Sequence, residues 1–326
     1  MKIVRRYFLS VAGGMIATLA ASPSAWAQTY PARPVRVIVP FAPGGATDII
    51  ARPILQELSK RLGQQFYVEN LPGASGNIGT AHAAKAAPDG YTILLAFSSH
   101  ATNPFMFDKL PFDPIKDFAP ITVAVTSPAV LSVHPSLSPK TVEELVALVR
   151  ANPGKYSFAS GGTGTQPHLA GEQFRMSLGL DLVHVPHNGG GPALASAIAG
   201  HTPIIFSTLS PAVPFVKEGK LRALATTGRA RSRTTPDVLT MTEAGYPGIE
   251  GDTWVGVLAP AGTHPEIITL LNREIVNILK LPAMRVRLVE LGYEAVGNSP
   301  DEFAAQMKSE MVTWAKVIRS AGIRAQ

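Results

Sequence analysis

The chain has 326 residues, of which 46% are hydrophobic and 16% are charged, and it contains no cysteine. This length is sufficient for one large domain or for two lobes that each have a core. The formal net charge is +6, but no basic run that would suggest nucleic acid remains beyond the N-terminus. Without cysteine, the protein gains no disulfide from an oxidising compartment.

The first 27 residues have the pattern of a secretory signal peptide. A basic start, a short apolar stretch and the small residues of "SAWAQ" predict cleavage after Ala27. The apolar stretch is too short to span a bilayer, although a short membrane anchor is the alternative. Adjacent Arg5 and Arg6 leave both Sec and twin-arginine export open. Removal of the three cations in this segment lowers the net charge from +6 to +3.

The remaining chain shows the same alternation of elements twice. In the first half, strands are predicted at 35–41, 66–70 and 91–99, with helices at 47–63 and 79–87. In the second half, strands are predicted at 156–160, 182–187 and 203–208, with helices at 166–179 and 192–200. This alternation predicts right-handed crossovers, parallel sheets and therefore two α/β lobes.

Two extended segments connect the halves. Residues 117–136 read as two β-rich pieces broken by Ser127-Pro128, and residues 252–260 form another extended run. Three helices are then predicted at 264–280, 282–291 and 300–322, the last with apolar residues at helical spacing. If this C-terminal part packs on the first lobe, the chain crosses between the lobes twice, which would form a hinge.

Glycine-rich turns separate the strands from the helices at 43–45, 72–79, 160–165 and 188–193. In a parallel sheet, all strand-to-helix loops emerge at the carboxyl edge, where open α/β sheets bind ligands. Each glycine alone could serve only a tight turn, but their repetition at this position favours a binding site.

The order and spacing of several motifs resemble the Bug family of periplasmic solute-binding proteins, which serve tripartite tricarboxylate transporters. The resemblance spans nearly the whole chain after the signal and includes "VRVIVPFAPGGATDIIAR", "VENLPGASGNIGT", "SGGTGTQPHLAGE", "HVPHNGGGPAL" and "WVGVLAPAGT". It implies a two-lobed α/β fold of the periplasmic-binding-protein type II, or Venus flytrap, class. Each lobe would be a mainly parallel sheet flanked by helices, with two hinge crossings.

The resemblance also implies the domain organisation and the partners. Residues 1–27 would be the signal peptide, 28–126 and 253–326 the first lobe, and 127–252 the second. The protein would be a periplasmic monomer without catalytic activity, cofactor or metal. It would carry a small carboxylate, such as a dicarboxylate, tricarboxylate or aromatic carboxylate, to integral membrane transporter subunits.

The turn "PFAPGGATD" contains no Lys or Arg, so it lacks the cation of a phosphate-binding loop. A carboxylate can be held by backbone N–H groups alone, because the first turn of a helix carries unpaired donors and partial positive charge. Gly44 and Gly45, after Pro43, allow close approach of the main chain. The resemblance implies that this loop holds one carboxylate, partly through water. Asp48 is interpreted as a helix N-cap, with ligand contact as the alternative.

The turn "SGGTGTQPHL" would provide the equivalent loop in the second lobe, with a helix beginning near Gln166-Pro167. One anion-binding turn in each lobe suits a solute with two carboxylates, although a monocarboxylate could use one lobe alone. The candidate residues in this turn are Ser160, Gly161, Thr163, Gly164, Thr165 and His168.

Further candidates follow other predicted strands. Serine and histidine side chains after the third strand are expected to face the cleft, with a local cap and a surface histidine as the alternative. His187 replaces a tyrosine of many relatives, and Ser207 replaces a frequent aspartate, which weakens the case for a ligand with an amine. These candidates are Ser75, Ser98, Ser99, His100, His187, Asn188, Gly189 and Ser207.

The sequence gives less support to a metal site or to an enzyme than to solute binding. His184 and His187 form H-x-x-H, but residues three apart on a strand point to opposite faces and are poorly placed to share a metal. The chain lacks H-E-x-x-H and the G-x-S-x-G nucleophile elbow. An exported hydrolase of small esters or amides is the alternative function.

Overall fold

The computed structural model describes residues 30–321, so the predicted signal peptide lies outside the described residues. Residues 33–321 belong to one compact unit, and the following description concerns that unit. Between residues 30 and 321, no helix combines the length and the apolar character needed to cross a bilayer.

Strands and helices alternate along most of this unit. The strands are β1 (Val35–Val39), β2 (Phe66–Asn70), β3 (Thr92–Phe97), β4 (Phe118–Val133), β5 (Tyr156–Ser160), β6 (Leu182–Pro186), β7 (Ile204–Thr208), β8 (Arg222–Thr226), β9 (Asp252–Pro260) and β10 (Glu294–Ala295). The α-helices are α1 (Ala46–Leu62), α2 (Asn77–Ala84), α3 (Ser99–Met106), α4 (Val142–Arg150), α5 (Gln166–Ser177), α6 (Gly190–Ile198), α7 (Leu209–Lys217), α8 (Pro265–Leu279), α9 (Pro282–Glu290) and α10 (Pro300–Ala321).

The described strands form one mixed sheet with the order β2-β1-β3-β9-β4-β7-β5-β6, while β8 and β10 also pair with β4. The three strands predicted in each half are parallel to one another, since β1 pairs with β2 and β3, and β5 pairs with β6 and β7. Antiparallel β4 and β9 lie between these two parallel groups. The predicted α/β alternation is therefore confirmed.

The predicted break at Ser127-Pro128 is wrong, because β4 continues without interruption from Phe118 to Val133. Residues up to Pro128 pair with β9, whereas Ala129 and the following residues pair with β7 and β8. Pro128 thus lies where β4 changes its partners. A proline without an N–H group is tolerated at such a position, since the regular ladder ends there.

The C-terminal helix packs on the half of the sheet that contains β1 and β3. Phe303 and Met307 of α10 belong to one buried cluster with Ile38, Leu94 and Trp254. A separate buried cluster lies around β5 and β7 and is built on aromatic side chains from both strands and from α5. Helices α3, α4 and α7 and strand β8 have no counterpart among the predicted elements.

Candidate functional site

A cavity lies where loops from both halves of the sheet meet, and the region contains about 380 Å³ of space free of protein atoms, part of which is open solvent. Its walls include Phe41 after β1, Phe97 at the end of β3 and Ser207 in β7. The two phenylalanine rings are in edge-to-face contact, with centroids 5.5 Å apart. The remaining lining residues are Gly45, Ala46, Thr47, Gly161, Thr165, Pro167, Gly190, Thr208 and Pro211.

The N-termini of α1, α5, α6 and α7 all contribute to this lining. Their N-cap residues are Gly45, Thr165, Gly189 and Thr208, and none of these four makes a side-chain capping bond. The first-turn N–H groups of a helix have no internal partner and carry partial positive charge. Of the residues that the structure describes, no Arg, Lys, His, Asp or Glu lines the cavity. The arrangement therefore offers backbone donors to an anion.

Glycines allow the loops after β1 and β6 to contact each other. The N–H group of Ala42 donates to the Asn188 carbonyl at 3.1 Å. A Cβ atom on Gly191 would lie 2.4 Å from the Pro43 oxygen, and one on Gly45 would lie 3.4 Å from the Gly190 nitrogen. A side chain at position 191 is incompatible with this contact, so the sequence requires glycine there.

Asp48 stabilises the first loop from the third position of α1. The prediction that it is the N-cap is wrong, because Gly45 holds that position. The Asp48 carboxylate is buried and accepts hydrogen bonds from the Gly44 N–H group at 3.1 Å and from Arg52 at 2.9 Å. Asn70 donates to it at 3.3 Å. Asp48 does not line the cavity, and its oxygens hold the loop that does.

Several side chains predicted as ligands in the second loop bind the loop itself. Thr165 donates to the Gly162 carbonyl at 2.7 Å, and the Gly164 N–H group donates to His168 Nδ1 at 3.0 Å. Ser160 is fully buried and its hydroxyl lies 2.7 Å from His184 Nε2. Of the candidates in this turn, Gly161 and Thr165 line the cavity, whereas Ser160, Thr163, Gly164 and His168 do not.

His168 and His184 form a buried pair behind this loop. Their ring centroids are 4.0 Å apart. Burial is the main cause that lowers the pKa of each to about 3, and the neighbouring His168 further lowers the pKa of His184. Both rings are therefore neutral near pH 7. Because His168 Nδ1 accepts a hydrogen bond, its proton is on Nε2, which faces Glu172 at 3.8 Å.

The two histidines of the H-x-x-H pair have different surroundings. His184 contacts Ser160 and His168, and residues 30–321 contain no group of three or more His, Cys, Asp and Glu placed to hold a metal ion. His187 lies outside the cavity lining, and burial lowers its pKa.

The residues after β3 do not line the cavity, contrary to the expectation that they face it. Ser98 is the N-cap of α3, and Ser99 donates to the Ser75 carbonyl at 3.4 Å. The ring of His100 packs between Phe112 and Phe118, with Nε2 2.9 Å from the Pro114 oxygen. Burial lowers the pKa of His100 to about 4. The sequence does not reveal this, because the aromatic partners are distant along the chain.

Ser75 contributes to the contact between loops rather than to the cavity lining. Its backbone is in the left-handed region with φ of 54°. A Cβ atom on Gly162 would lie 3.0 Å from the Ser75 hydroxyl, so this strained turn reaches the glycine loop after β5.

Ser207 is the candidate side chain that the structure places in the cavity wall with an unused polar atom. It is 2% exposed, and its hydroxyl has no hydrogen-bond partner among the described residues. Asn188 and Gly189 adjoin the cavity through the loop contact and the start of α6. Sequence reasoning missed Phe41, Phe97 and the start of α7. The strand predicted at 203–208 is followed by Ser210-Pro211, and a proline at this position indicates the first turn of a helix.

The comparison with known proteins agrees with this fold. Residues 50–323 match the model of the tripartite tricarboxylate transporter family receptor. The chain belongs to this family, and its fold matches that of the solved periplasmic binding protein BugD.

Particular relatives cover nearly the whole chain. Protein BugT of Bordetella pertussis is 37% identical over 97% of this chain and 98% of its own length. The R. palustris protein Rpa4515, solved with adipate, has a TM-score of 0.88 and 35% identity, covering 90% of this chain and 99% of that chain. MatC from Rhodopseudomonas palustris, solved with bound malate, has a TM-score of 0.85 and 33% identity, covering 89% of this chain and 100% of that chain.

Proposed function

We propose that this receptor captures a small dicarboxylate in the cavity and delivers it to the membrane subunits of a tripartite tricarboxylate-type transporter. The observation that carries the proposal is the convergence of four helix N-termini on one cavity without a basic side chain. Backbone donors and helix dipoles favour carboxylates at this position, since they supply partial rather than full positive charge.

The cavity wall favours a diacid with an apolar middle and no amine. Phe41 and Phe97 offer apolar surface between the helix N-termini of the two halves. No acidic side chain among the described lining residues would balance an ammonium group, and an unpaired buried charge is costly. Two relatives were solved with adipate and malate, which are both dicarboxylates without an amine.

Binding is proposed to close two lobes about β4 and β9. In this scheme residues 28–126 and 253–326 form the first lobe, and residues 127–252 form the second. The pairing of β4 with both β9 and β7 supports this scheme, because β4 continues from one parallel group towards the other. A solute that contacts both lobes favours the closed form by its differential affinity.

We infer that the protein is exported to the periplasm as a monomer after cleavage at Ala27. Mass spectrometry of the mature protein is expected to find Gln28 at its N-terminus. An uncleaved leader on a membrane-bound protein would contradict this inference.

An exported hydrolase is the second candidate, favoured by the 2.7 Å contact between Ser160 and His184. However, Ser160 is fully buried and does not line the cavity, so a substrate carbonyl has no access to its hydroxyl. Binding without turnover is therefore the better-supported function.

A thermal-shift panel tests both candidates. Adipate, succinate and malate are compared with glutamate, citrate and hexanoate, because a ligand of the native state raises the melting temperature by mass action. One of the amine-free dicarboxylates adipate, succinate and malate is expected to give the largest shift and to be recovered unchanged. A larger shift with glutamate would contradict the inference that the ligand carries no amine. Turnover of an ester or amide would favour the hydrolase.

A further inference from the structure

A second, larger cleft lies beside the strands that connect the two parallel groups. It contains about 1,320 Å³ of space free of protein atoms, partly open to solvent, and shares no lining residue with the first cavity. Thr126, Ser127 and Pro128 of β4 line it together with Asp252 at the start of β9. Residues of the loop 228–234, of α9 and of the segment 292–295 complete the lining, and the Thr234 hydroxyl of the loop donates to the Val289 carbonyl of α9.

Three arginines line this cleft. Arg229 and Arg233 belong to the loop, and Arg285 belongs to α9. Arg233 and Arg285 are exposed, and neither has an acidic partner within ion-pair distance in the described part of the chain. By contrast, Arg231 of the same loop pairs with Glu243 at 2.9 Å and does not line the cleft.

The acidic residues of the cleft are grouped at the strand side. Burial, and then the nearby Glu294, raise the pKa of Asp252, while Arg229 lowers it. Asp252 and Glu294 are therefore close to each other and to Arg229. The guanidinium groups of Arg233 and Arg285 are left without an internal counter-charge.

Guanidinium groups bind oxyanions through paired N–H donors in a fixed geometry. Two guanidiniums without ion-pair partners that line the same cleft suit an anion with at least two charged oxygen groups. We propose that the cleft is a second anion site, in which a small polyvalent oxyanion of the carboxylate or phosphate type bridges Arg233 and Arg285. The acid pair at the strand side would repel a longer polyanion, which favours a small molecule.

Calorimetry on the full mature protein at low ionic strength tests this site. Pyrophosphate and citrate are the probes, and their comparison separates phosphate from carboxylate chemistry. The double substitution Arg233→Gln and Arg285→Gln is expected to weaken binding of the preferred probe by about tenfold or more, because each charge-assisted bond contributes substantially.

Arg287→Gln is the matched control, since Arg287 is exposed on the same helix but does not line the cleft. It should keep the affinity of the unsubstituted protein. If the double variant does not fold, the Arg285→Gln variant is measured alone and is expected to weaken binding. Absence of binding by both probes at millimolar concentration, or equal affinity in the arginine variants and the unsubstituted protein, would overturn the proposal.

Discussion

The N–H group of Ala42 donates to the carbonyl oxygen of Asn188 at 3.1 Å. This hydrogen bond joins the loop after β1 to the loop after β6, which are on different parallel groups of the sheet. Gly44 and Gly45 face Gly190 and Gly191 beside it. The contact between these loops thus consists of backbone against backbone, which makes it sensitive to any added side chain.

The first prediction compares two adjacent glycines. A Cβ on Gly191 would lie 2.4 Å from the Pro43 oxygen, whereas one on Gly190 would lie 3.6 Å from the Gly45 Cα. Gly191→Ala should therefore weaken solute binding by at least tenfold, while Gly190→Ala should have a much smaller effect. Calorimetry with the best diacid of the panel measures both, and melting temperatures without solute check the fold. Equal affinities would show that the loop contact is unnecessary for binding.

The second prediction concerns Asp48. Replacement by Ala leaves the Gly44 N–H group and the Asn70 amide without their carboxylate partner, which should cost about 1–3 kcal/mol of unfolding free energy. Arg52→Ala is the comparison, because the Arg52 side chain is 61% exposed and its removal leaves the Gly44 N–H group and the Asn70 amide paired with Asp48, so a smaller loss is expected. Urea denaturation without solute measures the two variants. A larger loss in Arg52→Ala than in Asp48→Ala would contradict the conclusion that Asp48 stabilises the loop through its bonds with Gly44 and Asn70.

Ser207→Ala separates a ligand contact from a structural role. The Ser207 hydroxyl is buried without a partner in the described structure, so its removal should leave the unliganded stability unchanged or slightly higher. If the solute binds this hydroxyl, affinity should fall by about threefold to tenfold, as expected for one neutral hydrogen bond. Unchanged affinity for the cognate diacid would remove Ser207 from the binding site.

Stability should fall in acid because of buried neutral histidines. Burial lowers the pKa of His168 to about 3 and that of His100 to about 4, from the usual 6.5. Below pH 6.5 the unfolded chain binds protons that the native protein excludes, so stability is lost as the pH falls towards these values. Each histidine contributes a slope of at most about 1.4 kcal/mol per pH unit.

Urea denaturation between pH 7.5 and pH 4.5 measures this slope. His100→Phe keeps a ring beside Phe112 and Phe118 but removes one titrating group. Its slope should be smaller than that of the unsubstituted protein, whatever its stability at pH 7.5. An identical pH dependence would mean that His100 binds protons equally in the native and unfolded states, so that burial does not lower its pKa.

The last prediction concerns closure about β4 and β9. A cognate solute should reduce the radius of gyration in small-angle scattering, because small changes at a few hinge residues bring the loops together. An acid that gives no thermal shift should leave the curve unchanged. Gly191→Ala should reduce the response, since its side chain opposes the closed contact. A saturating solute without any change in scattering would contradict a hinge that opens in the free protein.

The sequence alone determined the alternation of strands and helices, because period and turn residues are local properties. It also predicted that the glycine turns begin helices that bind an anion; Gly45, Gly161 and Thr165 line the cavity, and anion binding there stays a prediction. The family resemblance added the periplasmic-binding-protein fold. All of these inferences depend on short stretches or on their order along the chain.

Only the tertiary structure decided which loops meet and which side chains remain free for a ligand. Asp48 and His168 were candidates by position, but nearby N–H groups already use their acceptors. His100 is enclosed by aromatic residues that follow it in the chain, and Pro128 fits within β4 because the pairing partners change there. These outcomes depend on contacts between segments that are distant along the chain. Packing decides which donor or acceptor each polar group binds, and the local sequence carries no signal of that choice.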